Sequence, residues 1–263
     1  MKLTRPLVSI LVPAYNSERT IAQTLNCALA QSWEPKEIIV VDDGSTDRTL
    51  EIAKRFESPQ LKVVTQQNQG ASAARNRAFE LSKGEYIQWL DADDLLSRDK
   101  IARQMEVLST CNERTLASCA WGEFWHRYYK ARFTETELWR DSSVLEFVMA
   151  KMGGSWSFMQ TSVWLVSRQV TVAAGPWDTR LTQDDDGEYF CRVLLASDGV
   201  RFVPNAKVYY RYSGTSGQSF VGRSHKKMDS LWLSMQLQVS YLRSLEDSIR
   251  TREVCLRYLE ASM

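Results

Sequence analysis

The first hundred residues alternate short apolar runs, rich in β-branched residues, with amphipathic stretches. The apolar runs predict strands at 7–12, 37–41, 61–65 and 86–90. The stretches between them predict helices at about 18–30, 47–56 and 71–82. Asn16 or Ser17 is expected to cap the first helix. This alternation is typical of an α/β domain in which helices flank a mostly parallel, Rossmann-like central sheet.

Beyond residue 110 the alternation becomes irregular, and we interpret 111–225 as the second half of the same domain. From about Ser230, apolar residues recur at the spacing of one helix face. They are Leu231, Met235, Val239, Leu242, Leu245 and Ile249. We therefore expect a domain over 1–225, with halves 1–110 and 111–225, and an amphipathic helical extension over 226–263.

Charge, cysteine content and hydropathy exclude several classes of protein. The chain has 33 Lys and Arg against 32 Asp and Glu, so no overall field favours nucleic acid as a partner. Its five cysteines are odd in number and widely spaced, which predicts reduced thiols. No apolar run approaches the ~18 residues that span a bilayer, and the run at 7–12 is too short for a signal sequence. These features predict a cytoplasmic location.

Three predicted strands end in polar clusters, at residues 13–16, 42–45 and 91–94. Their sequences are Pro-Ala-Tyr-Asn, Asp-Asp-Gly-Ser and Asp-Ala-Asp-Asp. In open α/β sheets, ligands bind beyond the carboxyl ends of the strands. We therefore expect the three clusters to share one rim of the sheet and to form a binding site.

Asp91 and Asp93 place two carboxylates at the end of an apolar strand. Two such groups repel unless a cation or hydrogen-bond donors compensate. Mg²⁺ and Mn²⁺ prefer carboxylate oxygens and share them readily with substrate phosphates. A metal site is one interpretation, and a solvated turn in which Asp93 or Asp94 caps the next helix is the other.

The remaining polar residues near this rim offer groups suited to a nucleotide. The Asp43 carboxylate can accept the imide N–H of uracil, whereas residues 45–47 are expected to cap the following helix. Arg75 lies near the start of the third predicted helix, and its guanidinium could bind a diphosphate or base carbonyls. An ion pair between Arg75 and Asp42 or Asp43 is the structural alternative.

Four blocks of sequence resemble the ordered signature of family 2 glycosyltransferases, which have the GT-A fold. They are VSILVPAYN at 8–16, VVDDGSTD at 40–47, NQGASAARN at 68–76 and DADD at 91–94. The resemblance implies inverting transfer of a hexosyl group from a nucleotide-diphospho-sugar, with UDP favoured, to a hydroxyl of a glycan or lipid-linked acceptor. It also implies that 1–110 binds the nucleotide and 111–225 the acceptor, in the setting of surface polysaccharide biosynthesis.

The resemblance assigns a role to each matching residue of the first half. Pro13, Tyr15 and Asp43 are expected around the base, with Arg75 nearby. Asp93 is expected to be the principal ligand of a Mn²⁺ or Mg²⁺ ion, and Asp91 to lie near the ribose or in the metal shell.

Family members also carry a Glu-Asp pair a few residues before a helical Arg, and this pair supplies the general base. Counting from Arg192 places Asp185 at the Glu position and Asp186 at the base position. The chain departs from the family pattern here, because Asp replaces Glu and the run with Asp184 leaves the register ambiguous by one residue. We predict that Asp186 deprotonates the acceptor hydroxyl and that its acidic neighbours raise its pKa. Acids that merely favour a helix N-terminus are the alternative.

Three further predictions concern residues beyond 110. Trp156 is a candidate to stack on an acceptor sugar, while most other aromatic residues of this half are expected in the core or at an interface. His225 is a candidate ligand of the diphosphate, with a solvated basic loop as the alternative. The basic cluster of Arg223, Lys226 and Lys227 could contact an anionic membrane, which would place the protein peripherally at its inner face.

Two other functions remain possible on the sequence alone. A catalytically silent homologue would bind a nucleotide or glycan and lack turnover. A sugar nucleotidyltransferase would need a glycine-rich phosphate loop after the first strand, yet residues 13–20 contain no glycine. The sequence also lacks a Walker loop and a G-x-G-x-x-G motif after a strand.

Overall fold

The structure is a computed structural model that describes residues 5–154, 159–212 and 224–261. Its strands are β1 (Val8–Ala14), β2 (Lys36–Asp42), β3 (Leu61–Thr65), β4 (Tyr86–Trp89), β5 (Leu95–Leu96), β6 (Thr115–Phe124), β7 (Arg132–Phe133), β8 (Val166–Ser167) and β9 (Gly199–Arg211). Its helices are α1 (Ile21–Leu29), α2 (Thr49–Lys54), α3 (Ala71–Leu81), α4 (Lys100–Leu108), α5 (Val144–Gly153), α6 (Arg168–Ala174), α7 (Asp185–Leu195), α8 (His225–Leu245) and α9 (Ile249–Ala261).

The larger sheet has the strand order β3-β2-β1-β4-β8, in which the first four strands are parallel and β8 is antiparallel to β4. Ala14 pairs with Asp42, which pairs with Thr65, so three strands end side by side. The smaller sheet has the order β5-β9-β6-β7, with β6 parallel to β9. The mostly parallel central sheet flanked by helices is therefore confirmed.

The core sits around the parallel strands, whose side chains are buried in nearly continuous runs. Val8, Ile10, Val12, Ile38 and Val40 are fully buried. Such runs are typical of parallel strands that are covered on both faces. Helix α3 packs on β1 and β2 through small buried alanines, which let the helix backbone approach the sheet closely.

The predicted cap of the first helix is wrong. Helix α1 begins at Ile21, and its N-cap residue Thr20 makes no side-chain capping bond. Asn16 instead adopts a left-handed conformation with φ of 46°. Its side-chain oxygen accepts from Thr46 in the loop after β2 and so does not cap α1.

The loops after β1 and β2 brace each other through polar side chains. The backbone N–H of Thr46 donates to Asn16 Oδ1 at 2.8 Å, and that of Glu18 donates to Asp47 Oδ2 at 3.1 Å. The other oxygen of Asp47 accepts from Thr49 N at 2.9 Å, at the start of α2. These bonds fix two of the three polar clusters relative to each other.

The C-terminal segment differs from the single predicted helix, since α8 ends at Leu245 and α9 starts at Ile249. Met235 and Leu242 are buried as predicted, but Ile249 is 78% exposed. The pattern failed there because residues 246–248 are not helical, so the helical spacing of α8 does not continue to Ile249. Helix α8 packs on α7, and α9 packs on α5. No helix within the described ranges is long and apolar enough to cross a membrane.

Candidate active site

Asp43 follows β2 and is buried, with both carboxylate oxygens engaged. Oδ1 accepts from Gln66 Nε2 at 2.8 Å and from Gln69 N at 2.9 Å. Oδ2 accepts from Gly70 N at 2.8 Å. Asp43 thus holds the N-terminus of α3. A lone pair of Oδ2 remains for a further donor such as a base imide, because a carboxylate oxygen accepts two hydrogen bonds.

Pro13, near the end of β1, and Tyr15, just after that strand, lie beside Asp43 at the rim. Asp43 N donates to Ala14 O at 2.8 Å, so the ends of β1 and β2 are joined directly. The Tyr15 side chain is 38% exposed, which leaves an aromatic ring accessible to a planar base. The structure therefore brings together the residues predicted around the base.

Arg75 is the central cation of the site and is 6% exposed. Its Nη2 donates to Asp91 Oδ1 at 2.9 Å, and its Nη1 donates to Asp185 Oδ2 at 2.7 Å. The guanidinium also lies 4.3 Å from the ring centre of Trp177. The alternative of an ion pair with Asp42 or Asp43 is wrong, because the guanidinium pairs with Asp91 and Asp185 instead.

Asp93 and Asp94 have separate environments although they are adjacent. Burial, together with the charge of Asp91, raises the pKa of Asp93 to about 6. Asp94 is fully buried, and its carboxylate accepts from Arg211 N at 2.9 Å and from the Gln160 amide. Asp94 therefore ties the end of β4 to β9 and has a structural role.

The residues at the end of β4 fit a divalent cation. The carboxylate of Asp91 is partly exposed, and its charge disfavours ionisation of Asp93, a repulsion that a bound cation would relieve. In the part of the chain that the structure describes, no group of three or more His, Cys, Asp or Glu side chains could hold a metal alone. Mg²⁺ or Mn²⁺ is commonly bound by one or two carboxylates plus substrate phosphates, and Asp91 and Asp93 offer that donor set.

The three consecutive aspartates at the start of α7, where Asp184 is the N-cap residue, also have different environments. Asp184 adopts a left-handed conformation with φ of 53°. Its Oδ2 accepts from Ser234 Oγ at 2.7 Å and from Gln238 Nε2 at 2.6 Å, so this residue is anchored to α8. Asp185 is held by Arg75. Asp186 is the remaining carboxylate of the run.

Asp186 lines a cavity of about 180 Å³ together with Lys151, Trp164 and Phe190. Its Oδ2 accepts from Thr161 Oγ1 at 3.3 Å. Burial, followed by the charges of Asp185 and Asp184, raises the pKa of Asp186 to about 7. A carboxylate with this pKa is basic enough to accept a proton near neutral pH. Asp184, Asp185 and Asp186, which the sequence pattern alone could not tell apart, therefore have different partners and different surroundings.

Gly187 makes the Asp184 turn possible. A Cβ at this position would lie 2.7 Å from Asp184 Cγ, which cannot move freely because α8 holds the carboxylate. We expect Gly187→Ala to lower the free energy of unfolding by about 1–3 kcal/mol, measured by urea denaturation. The control is Gly153→Ala, where the added carbon would meet Val254 methyl groups at an ordinary 3.6 Å. Equal stabilities of the two variants would contradict this view of the turn.

Several residues that position the site carry no signal in the sequence. Arg211 Nε donates to Asp93 O at 2.8 Å. Lys151 is buried beside Asp186 and donates to Gln238 Oε1 at 2.8 Å. No motif marks Arg211, Lys151 or Thr161, because their roles arise only from contacts between distant segments.

The predictions for Trp156, His225, the basic cluster and the other aromatic residues have different outcomes. Trp156 and Arg223 lie outside the described residues, and His225 is exposed at the first turn of α8. Of the aromatics expected in the core or at an interface, Trp121, Phe124 and Trp164 lie in the core. Three others in the segment between β6 and β7 are exposed, so for them only the interface part of the prediction stays open. They are Trp125, Tyr128 and Tyr129.

The comparison with known sequence families decides the classification. The profile of Glycosyl transferase family 2 matches residues 9–169. The chain belongs to glycosyltransferase family 2. The match includes Arg75, Asp91 and Asp93 but ends before the three aspartates at residues 184–186.

Known proteins similar to this family 2 member agree with that classification. An uncharacterized glycosyltransferase of Haemophilus influenzae is 38% identical over 109 residues, which cover 40% of this chain and 44% of that protein. The Escherichia coli UDP-Glc:alpha-D-GlcNAc-diphosphoundecaprenol beta-1,3-glucosyltransferase WfaP is 39% identical over 105 residues, or 40% of this chain and 42% of that protein. The matches thus span less than half of each relative.

A solved structure shows the same fold. Residues 1–349 of S. aureus TarS in complex with UDP-GlcNAc align with a TM-score of 0.77 at 18% identity. The alignment covers 97% of this glycosyltransferase and 72% of that chain. Together with the mostly parallel sheet, this likeness establishes the GT-A fold.

Proposed function

We propose that this family 2 member transfers a sugar from a UDP-sugar to an acceptor hydroxyl, with inversion at the anomeric carbon. One observation carries the proposal. Arg75 joins Asp91, on the rim predicted for the donor, to Asp185, beside the predicted base, through bonds of 2.9 and 2.7 Å. A single buried cation thus connects the two groups of carboxylates that the reaction requires.

The donor would lie along the rim formed by β1, β2 and β4. The exposed ring of Tyr15, next to Pro13, and the free lone pair of Asp43 suit a uracil base. Asp93, with help from Asp91, would hold Mn²⁺ or Mg²⁺. When bound, this ion neutralises charge on the leaving diphosphate. Solved structures of TarS contain UDP and UDP-GlcNAc, which supports a uridine nucleotide for a chain of the same fold.

The acceptor hydroxyl would be activated from the other side of Arg75. In an inverting transfer the hydroxyl attacks the anomeric carbon from the face opposite the leaving diphosphate and loses its proton in that step. Asp186 would accept this proton on a carboxylate oxygen. Arg75 and, to a smaller extent, Lys151 favour the ionised form of Asp186, since their positive charges oppose the effect of burial on the Asp186 pKa. Asp185 would position Arg75 rather than exchange protons.

One relative suggests the chemical class of the acceptor. The name of WfaP describes a GlcNAc-diphosphoundecaprenol acceptor, which is a lipid-linked sugar. We infer a glycan or lipid-linked acceptor for this chain too, in surface polysaccharide biosynthesis.

Titration calorimetry with UDP tests the donor site. In Mn²⁺ we expect Asp93→Asn to weaken UDP binding at least about 10-fold, since loss of even an outer-shell partner weakens a metal site about 10- to 100-fold and this variant would remove the proposed principal ligand. Asp198→Asn, at a surface carboxylate paired with Arg114, should bind like the wild type. Metal-independent UDP binding that Asp93→Asn leaves unchanged would refute the metal site, and a preference for ADP, CDP or GDP would refute the uridine assignment.

A further inference from the structure

The segment from Trp125 to Arg132, here called the β6–β7 tip, connects β6 to the edge strand β7, and its last residue, Arg132, begins β7 opposite Glu123. It includes three exposed aromatic residues, which are unusual on a protein surface facing only water. Trp125 is 60%, Tyr128 44% and Tyr129 66% exposed. Tyr128 and Tyr129 pack edge-on against each other, so these two exposed rings form one aromatic cluster on the tip.

The same tip is strongly basic. Its sequence, Trp-His-Arg-Tyr-Tyr-Lys-Ala-Arg, contains no carboxylate. Arg127, Lys130 and Arg132 are exposed, and none of them pairs with a carboxylate anywhere in the described ranges. Basic side chains alternating with Trp and Tyr are the composition of surfaces that rest in the headgroup region of an anionic bilayer. The rings suit the headgroup level, and the cations suit the phosphates.

The tip is attached directly to the rim of the active site. The ring of Trp125 lies 4.4 Å from that of Tyr212, centre to centre, and Tyr212 N donates to Phe124 O at 2.8 Å. The neighbouring Arg211 lies over the Phe124 ring and donates to Asp93 O at 2.8 Å. A surface bound at the tip would therefore be close to the Asp93 end of the rim.

We propose that the β6–β7 tip docks on an anionic phospholipid bilayer. This places the rim beside the membrane, where the sugar of a lipid-linked acceptor would be found, and that consequence rests on the proposed function. The docking itself does not, because it depends only on the exposed rings and unpaired cations. The tip differs from the cluster at 223–227, for which Arg223 lies outside the described residues.

Flotation of the full chain with vesicles tests the proposal without any turnover. Wild-type protein should float with vesicles that contain phosphatidylglycerol and stay in solution with pure phosphatidylcholine. Neutralising the tip with R127Q, K130Q and R132Q should weaken binding about a hundredfold. Tyr129→Ser should weaken it less, through loss of the inserted ring. The control combines K54Q, K62Q and K83Q, at lysines that are exposed elsewhere, and should float like the wild type.

Three results would overturn the proposal. They are wild-type protein that does not float, a neutralised tip that floats as well as the wild type, and loss of flotation in K226Q/K227Q with the tip intact. UDP calorimetry on the same tip variant should match the wild type, which shows that the variant is folded. A failure of donor binding in the wild type would instead count against the proposed function alone.

Discussion

Replacing Arg75 by methionine should abolish sugar transfer and lower the free energy of unfolding by about 3 kcal/mol. The guanidinium is buried and pairs with Asp91 and Asp185, so its removal leaves two carboxylates facing each other without a cation. Breaking a buried ion pair typically costs about 3–5 kcal/mol. We expect the lower value here, because the side chains of Asp91 and Asp185 are 27% and 19% exposed. Activity should vanish because Arg75 bonds both to Asp91, on the proposed donor rim, and to Asp185, next to the proposed base.

The same helix offers a matched control for this prediction. Arg77 is exposed on α3 and pairs with Glu80 at 2.9 Å, so Arg77→Met should cost less than about 1 kcal/mol. Urea denaturation of Arg75→Met, Arg77→Met and the wild type gives the comparison. Arg75→Lys should recover part of the stability and little activity, since an ammonium cannot span both carboxylates in the geometry of a guanidinium. Equal stability of Arg75→Met and Arg77→Met would show that Arg75 does not link the two halves.

Much of the first half could be predicted from sequence, because parallel strands have a simple pattern. Apolar runs mark buried strands, and polar clusters mark their carboxyl ends. The structure places β1, β2 and β4 as the pattern predicted, within one or two residues at most ends. The pattern failed at Asn16, because a polar residue before a helix can either cap it or hold a neighbouring loop.

The second half could not be predicted in the same way, since its important contacts are polar and join distant segments. Helix α8 faces α7 with Ser234 and Gln238 as well as with apolar residues, so a hydrophobic pattern identifies only part of its buried face. Those two residues anchor Asp184 and so separate it from Asp186. Arg211 could not be found either, because nothing in its own strand reveals Asp93 as its partner.

The proposed base role of Asp186 depends on a carboxylate that can accept a proton. Burial and the charges of Asp185 and Asp184 raise its pKa to about 7, so the base should be ionised and active above that pH and protonated below it. Asparagine has nearly the same shape but cannot accept the acceptor proton. Loss of a general base typically slows a reaction about 10²- to 10⁴-fold.

The most direct test of the proposed function is the rate of UDP formation in wild type and Asp186→Asn at pH 8. UDP-glucose and UDP-GlcNAc serve as donors, and synthetic GlcNAc-diphospho-alkyl lipids serve as acceptors. All reactions contain Mn²⁺. We expect acceptor-dependent UDP and a glycoside of inverted configuration from the wild type. Asp186→Asn should be about 10²- to 10⁴-fold slower with unchanged UDP affinity, and Asp198→Asn should match the wild type. Wild-type rates in Asp186→Asn, UTP formation on adding inorganic diphosphate, or donor binding without any transfer would contradict this function.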